Sequence, residues 1–313
     1  MLLDKVSFMP NTAFPSTATM VFCIGAQKAG TTWLYDALRR SEQVHFSRNK
    51  ELHYFDVIAG KAQQVFDMRV QATEILANRL IPQLGKRNRA NLQQLRDLTD
   101  LLDIYTGEPG DHSAYLQYLL EHYKNQPVVC DITPAYAILD REMFTQMGQI
   151  GSAKFIFILR DPIERMWSQI RMAVKTASPS PTSFQGACIA RAQQLIETSR
   201  LAKIERADYR RTITELEAAI PPARIKYLFY EDMFNPASMN SLCNFLQIEP
   251  IATDPENHSN PGAVAAMPAD IRAGFCDAFS AQYTFIHDRF GGKVPDKWAP
   301  EFQPDLTLNR SAG

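Results

Sequence analysis

The chain has 313 residues, with 33 Lys plus Arg against 34 Asp plus Glu and a formal net charge of −1. That length can bury a large core in one or two domains, and ordinary apolar and charged fractions exclude wholesale disorder. No global basic field marks the chain for nucleic acid or an acidic membrane, so any anion site must be local, built from placed side chains and helix ends.

Short apolar runs alternate with longer helical patterns, the mark of βαβ units around a parallel sheet. The first run, 19–24, ends at Gly25 and leads into a helix over about 30–40. A second short strand is expected at 43–47. The segment 57–102 is polar and helical, with a basic cluster at Lys86, Arg87, Arg89 and Arg96. A helix over 113–123 precedes a third strand at 127–130. The fourth strand, 154–159, contains Phe155-Ile-Phe-Ile-Leu159 and reads as buried on both faces. Asp161-Pro162 then supplies a capping acceptor and an N1 proline to a helix over 163–174. The turn-rich stretch 176–181 opens a second polar helical segment reaching 220. A fifth strand is expected at 225–229, and Asn235-Pro236 caps a helix to about Leu246. Phe275, Phe279, Tyr283, Ile286 and Phe290 form a core-packing stripe on a last long helix. The tail after Trp298 has no clear pattern.

These elements predict an α/β fold with the whole chain, 1–313, as one domain. Its expected form is a three-layer α/β/α sandwich around a central parallel sheet of about five strands, with helical insertions at 57–102 and 176–220.

The five cysteines, Cys23, Cys130, Cys188, Cys243 and Cys276, are odd in number and scattered. None forms a CxxC or sits beside a His, which argues against zinc and for reduced thiols in a cytoplasmic protein. The first twenty residues lack the apolar core of a signal peptide, and no stretch approaches the ~20 apolar residues of a membrane span.

The first candidate site is Gly25-Ala-Gln-Lys28-Ala29-Gly30-Thr31-Thr32-Trp33. A loop between a buried strand and a helix aims backbone N–H groups at the positive end of a helix dipole, which suits phosphate. Gly25 and Gly30 give backbone freedom, Lys28 a point charge, and Thr31 and Thr32 hydroxyl donors. In a Walker A loop the Lys directly follows the second Gly. Here Lys28 precedes Gly30 by two residues, which counts against a kinase or ATPase.

A second site follows the fourth strand. Arg160 leaves the strand at its C-terminal end, where open parallel sheets bind ligands. Ser168 follows eight residues later, in the second turn of the next helix. Arg160 could instead pair with Asp161, and Ser168 be a neutral helix residue.

These two segments together resemble the sulfotransferases that use 3′-phosphoadenosine 5′-phosphosulfate (PAPS), a resemblance that implies a P-loop NTPase-like core. The stretch Lys28-Ala-Gly-Thr-Thr-Trp33 is similar to the 5′-phosphosulfate loop of the cytosolic branch. The resemblance implies that Lys28, Ala29, Gly30, Thr31, Thr32 and Trp33 hold the 5′-phosphosulfate, and that Arg160 and Ser168 hold the 3′-phosphate. Asp131-Ile-Thr-Pro134-Ala-Tyr136 stands where the family has a Pro-containing turn after the third strand, and Tyr227-Leu-Phe-Tyr-Glu-Asp232 resembles a further family segment. The basic segment that cytosolic members use near the C-terminus is missing, since Asn257 to Gly262 is not basic.

Cytosolic members also place a catalytic His after the third strand, where this chain has Asp131-Ile-Thr. It offers Lys50-Glu51-Leu-His53-Tyr-Phe-Asp56 instead, similar to the Glu-bearing stretch of the Golgi-type carbohydrate sulfotransferases. That resemblance implies Glu51 as general base and leaves His53 with a direct or a supporting role. The implied reaction is in-line transfer of a sulfuryl group from PAPS to a hydroxyl or amine, releasing PAP, with no metal. The acceptor would be a small molecule, a carbohydrate or a lipid, and the segment 57–102, which follows Asp56, is expected to border its site. The competing readings are a nucleotide kinase or NTPase, and a catalytically silent nucleotide-binding protein.

Overall fold

The computed structural model describes residues 13–80, 89–177, 183–252 and 264–298. Lys86 and Arg87, most of the turn-rich stretch 176–181, Asn257 to Gly262 and the tail after Trp298 lie outside them.

Five strands form one sheet: β1 (Thr19–Gly25), β2 (Val44–Phe46), β3 (Val128–Ile132), β4 (Lys154–Leu159) and β5 (Ile225–Phe229). Their order is β2-β3-β1-β4-β5, and every neighbouring pair is parallel. The central strands are the most apolar, because each is covered on both faces. Val21, Phe22, Cys23, Ile24 in β1 and Phe155, Ile156, Phe157, Ile158, Leu159 in β4 are fully buried.

Helices flank this sheet: α1 (Thr31–Leu38), α2 (Tyr54–Ile58), α3 (Gln63–Leu80), α4 (Arg89–Asp103), α5 (Ser113–Leu119), α6 (Arg141–Gln149), α7 (Pro162–Ala177), α8 (Phe184–Glu197), α9 (Tyr209–Ala219), α10 (Pro236–Leu246) and α11 (Ala269–Phe290). The expected stripe on α11 is buried except at its last position, with Phe275, Phe279, Tyr283 and Ile286 in the core and Phe290 packed at its margin.

Two differences from the sequence reading have physical causes. First, β3 runs two residues beyond the expected end, with Asp131 and Ile132 paired to Phe22 and Cys23. Asp131 looks like a strand-ending carboxylate, but three hydroxyls satisfy it inside the core. The Tyr115 and Tyr136 hydroxyls donate to its Oδ2 at 3.0 and 2.9 Å, and Thr133 Oγ1 donates to its Oδ1 at 2.7 Å. Second, the helices after residue 183 are built into the core rather than appended. Tyr209, Ile213 and Leu216 of α9 are buried, and Thr212 and Arg211 donate to the carbonyls of Ala137, Ile138 and Leu139.

Because all five strands run the same way, the segments leaving β1, β2, β4 and β5 emerge along one edge. That edge collects the loop at Lys28, the turn at Glu51, Arg160 and Tyr230.

Candidate active site

Backbone bonds shape the loop between β1 and α1. Ala26 N–H donates to Ile158 O at 2.8 Å, tying the loop to β4, and Ala29 N–H donates to Ala26 O at 3.1 Å. Lys28 has a φ of 70° and Gly30, the N-cap of α1, a φ of 85°. A Cβ on Gly30 would stand 2.9 Å from Tyr230 Cδ2, so both conformation and space require glycine. Thr31 is buried, Trp33 packs edge-on against Phe234, and Thr32 Oγ1 accepts a bond from Lys50 Nζ at 2.9 Å.

Arg160 lies against this loop. Its Nη1 donates to Lys28 O at 2.9 Å, and its guanidinium stacks 4.4 Å from the Tyr230 ring centroid. Its Nε is buried without a hydrogen-bond partner. The contemplated pair with Asp161 gives way to a capping role. Asp161 Oδ1 accepts from Ile163 N and Glu164 N at 2.9 and 3.1 Å and from the Tyr283 hydroxyl at 2.8 Å. Ser168 is half-buried on the second turn of α7.

Two further cations on α7 escaped the sequence reading. Arg165 is fully buried, donates through Nη1 to Gln169 Oε1 at 2.9 Å and Gln27 O at 3.4 Å, and leaves Nε and Nη2 unpartnered. Arg171 follows Ser168 by three residues, on the same side of the helix. Its charge reaches Lys28, whose ammonium is pulled down by burial first and then by Arg160 and Arg171. The three-residue spacing from Ser168 was a readable signal for Arg171; nothing local marks Arg165. Among the described residues, Lys28, Arg160 and Arg165 form no salt bridge. Such a cluster of under-compensated cations is costly unless an anion joins it.

The turn after β2 has the opposite character. Glu51 and His53 both take left-handed backbone, with φ of 61° and 52°. His53 Nδ1 lies 2.7 Å from Asp56 Oδ2, and its Nε2 lies 3.8 Å from Glu51 Oε2, a charge contact longer than a hydrogen bond. Asp56 is fully buried, whereas the Glu51 side chain is 40% exposed. Lys50 Nζ stands 3.3 Å from Glu51 Oε1 and so links this turn to Thr32.

These contacts set the protonation states. Burial disfavours the His53 imidazolium, but Asp56 and Glu51 outweigh it and push the ring up to about 9. Burial would raise the Glu51 carboxyl, but His53 and Lys50 hold it below the usual carboxylate range. Asp131 is pushed up to about 6 by burial, against the pull of its three hydroxyl donors. At neutral pH Glu51 is a carboxylate and His53 a cation.

Of the sequence-predicted residues, Lys28 to Trp33 lie with Arg160 and Glu51 lies with His53, both groups along one edge, while Ser168 stands on the second turn of α7 after Arg160. Among the described residues no helix is long and apolar enough to cross a membrane.

Comparison with known proteins adds an independent line. A family model described as the sulfotransferase family matches residues 20–253. No curated protein matches the chain. Among solved structures, a sulfotransferase from Alicyclobacillus acidocaldarius superposes with a TM-score of 0.57 at 17% identity, covering 89% of this chain and 96% of that one. A mouse sulfotransferase complexed with PAP gives 0.46 at 12% identity, covering 90% of this chain and 88% of that one. The sulfotransferase domain of a Synechococcus olefin synthase gives 0.46 at 15% identity, with coverages of 87% and 96%.

Proposed function

We propose, from the premise that this chain belongs to the sulfotransferase family, that it carries a sulfuryl group from PAPS to an acceptor hydroxyl or amine by in-line displacement and releases PAP. The observation that carries the assignment of the donor site is the convergence of Lys28, Arg160 and Arg165 without a carboxylate partner, beside a glycine-capped helix N-terminus. That chemistry fits a bis-anionic nucleotide. Lys28, Gly30, Thr31 and Thr32, with Ala29 and Trp33 shaping the loop, would hold the 5′-phosphosulfate through backbone N–H groups, hydroxyls and one ammonium. Arg160 and Ser168 would hold the 3′-phosphate, the guanidinium fork giving an oriented anion contact.

When bound, PAPS supplies an activated sulfuryl group on a phosphate leaving group. Lys28 faces negative charge as it builds on that leaving group, the kind of preorganised stabilisation that dominates such transfers. With cations already supplied by the chain, the proposed reaction uses no metal, and turnover should persist in EDTA. None of the five cysteines is in a disulfide, which suits a reducing, cytoplasmic compartment.

Glu51 is the base in this reading. It is ionised at neutral pH and accessible from the edge that carries Lys28 and Arg160. His53, held as an imidazolium, has no lone pair to accept a proton near neutrality, so it supports Glu51 rather than replacing it. Asp131 is engaged by three hydroxyls and is no alternative. The acceptor is a small molecule, carbohydrate or lipid.

Incubation with labelled PAPS and fractionated cell extract tests the reading. Transfer of label to one acceptor class with stoichiometric PAP is the expected result. Magnesium-dependent ADP formation from ATP, with no label transferred, would overturn it.

A further inference from the structure

The sequence suggested that the segment after Asp56 borders the acceptor. Its contacts point to another role. Glu51 and His53 both hold left-handed backbone, a conformation that is costly for an ordinary residue and persists only where surroundings enforce it. The turn also leaves two consecutive carbonyls, of Glu51 and Leu52, outside any helix or sheet ladder, while Leu52 itself is buried. Buried carbonyls of that kind need partners.

Both receive them from the α3–α4 region. Arg69, on α3, donates through Nη1 to Leu52 O at 2.9 Å and through Nη2 to Glu51 O at 3.2 Å. The same guanidinium bonds the Tyr105 hydroxyl, which lies just beyond α4 and within 3.2 Å of both Leu52 O and His53 O. A second set of bonds holds the start of the turn. Arg48 reaches Asp97 and Asp100 on α4, the latter at 2.8 Å, and Glu121 at 2.7 Å. A planar fork spanning two successive carbonyls fixes their relative orientation, which a lysine ammonium cannot do.

We infer that Arg69 is a positioning residue for Glu51, its fork on the Glu51 and Leu52 carbonyls fixing the turn from which the carboxylate is presented. The insertion is a brace on the catalytic turn, with Arg69 and Tyr105 as its contact. The inference rests on Glu51 as the base, and it makes the reaction depend on a residue bonded to the backbone of the turn rather than to the carboxylate.

The test reads His53 as well as turnover, because the imidazolium owes part of its elevated titration to Glu51. His53 would be titrated by NMR, without any acceptor, in wild type, Arg69→Ala, Arg69→Lys, Glu51→Gln and the double variant Arg69→Ala/Glu51→Gln. Label transfer from PAPS to the extract pool and PAP affinity would be measured on the same proteins. In Arg69→Ala the His53 titration is expected to fall towards its value in Glu51→Gln, with no further fall in the double variant. Label transfer should drop about 10- to 100-fold while PAP affinity stays within twofold. Arg69→Lys should show a smaller loss of the same kind, and it carries the test if Arg69→Ala does not fold. A His53 titration that moves in Glu51→Gln but stays at wild type in both Arg69 variants overturns the inference, as does an Arg69→Ala loss that adds fully to that of Glu51→Gln. If the titrations behave as expected but Glu51→Gln keeps wild-type transfer, the base assignment fails while the brace stands.

Discussion

The two halves of the site share an edge of the sheet but are built from opposite charges and opposite kinds of support. At the ends of β1 and β4, cations gather: Lys28 in the loop between strand and helix, Arg160 at a strand end, Arg165 and Arg171 on α7. Among the described residues Lys28, Arg160 and Arg165 form no salt bridge, and Arg160 and Arg165 each keep a buried N–H without an acceptor. After β2, carboxylates and an imidazolium pair among themselves on irregular backbone. The first half carries excess positive charge; the second is internally neutralised and waits only for a proton to accept. Lys50 touches both, bonded to Thr32 on one side and facing Glu51 on the other. A donor that brings its own charge can be met by rigid, under-compensated cations. A base must keep its lone pair and reach a neutral group, so it is held by pairing and by a brace.

The division predicts separable losses. The largest is expected for Glu51→Gln: about 10²–10⁴ in kcat, with PAP affinity and folding intact. Loss of PAP binding in this variant would dissolve the division. Lys28→Ala should reduce turnover about 10²–10³-fold through lost stabilisation of the leaving group, and a variant within threefold of wild type would remove Lys28 from the site. Arg160→Ala should weaken PAP by roughly 10- to 100-fold, the scale of a charge-assisted contact, and change ADP binding little; calorimetry with both ligands decides it.

The smallest effect is one of pH. His53 is raised on folding from its ordinary 6.5 to about 9. Its contribution to stability is therefore fully present below about 6.5 and lost as pH rises through about 9. Urea midpoints should fall over that window more in wild type than in His53→Asn. Parallel curves would mean that His53 is not the imidazolium holding Glu51.

How far the sequence revealed this arrangement depends on the distance over which each feature is encoded. The strand-loop-helix around Lys28 and the strand-to-helix step from Arg160 to Ser168 are local, so spacing exposed both. The sheet was legible because Phe155 to Leu159 and the run before Gly25 are apolar on both faces. Asp131 was misjudged as lying past the end of β3, because its burial depends on hydroxyls from Tyr115, Thr133 and Tyr136, one of them sixteen residues away. Arg165 and Arg69 were invisible for a similar reason. Each is an Arg in a polar helical pattern, and only the packing of that helix decides whether its fork meets solvent or a buried carbonyl. Arg69 acts on Leu52 across seventeen residues, with no motif to carry the spacing.

The claim that the cation cluster is a seat for a 3′-phosphorylated nucleotide is tested most directly by titration calorimetry of the wild-type protein in EDTA, with PAP and ADP as ligands. PAP is expected to bind without magnesium and at least tenfold more tightly than ADP. Equal affinities, or binding of ADP alone and only with magnesium, would contradict the account.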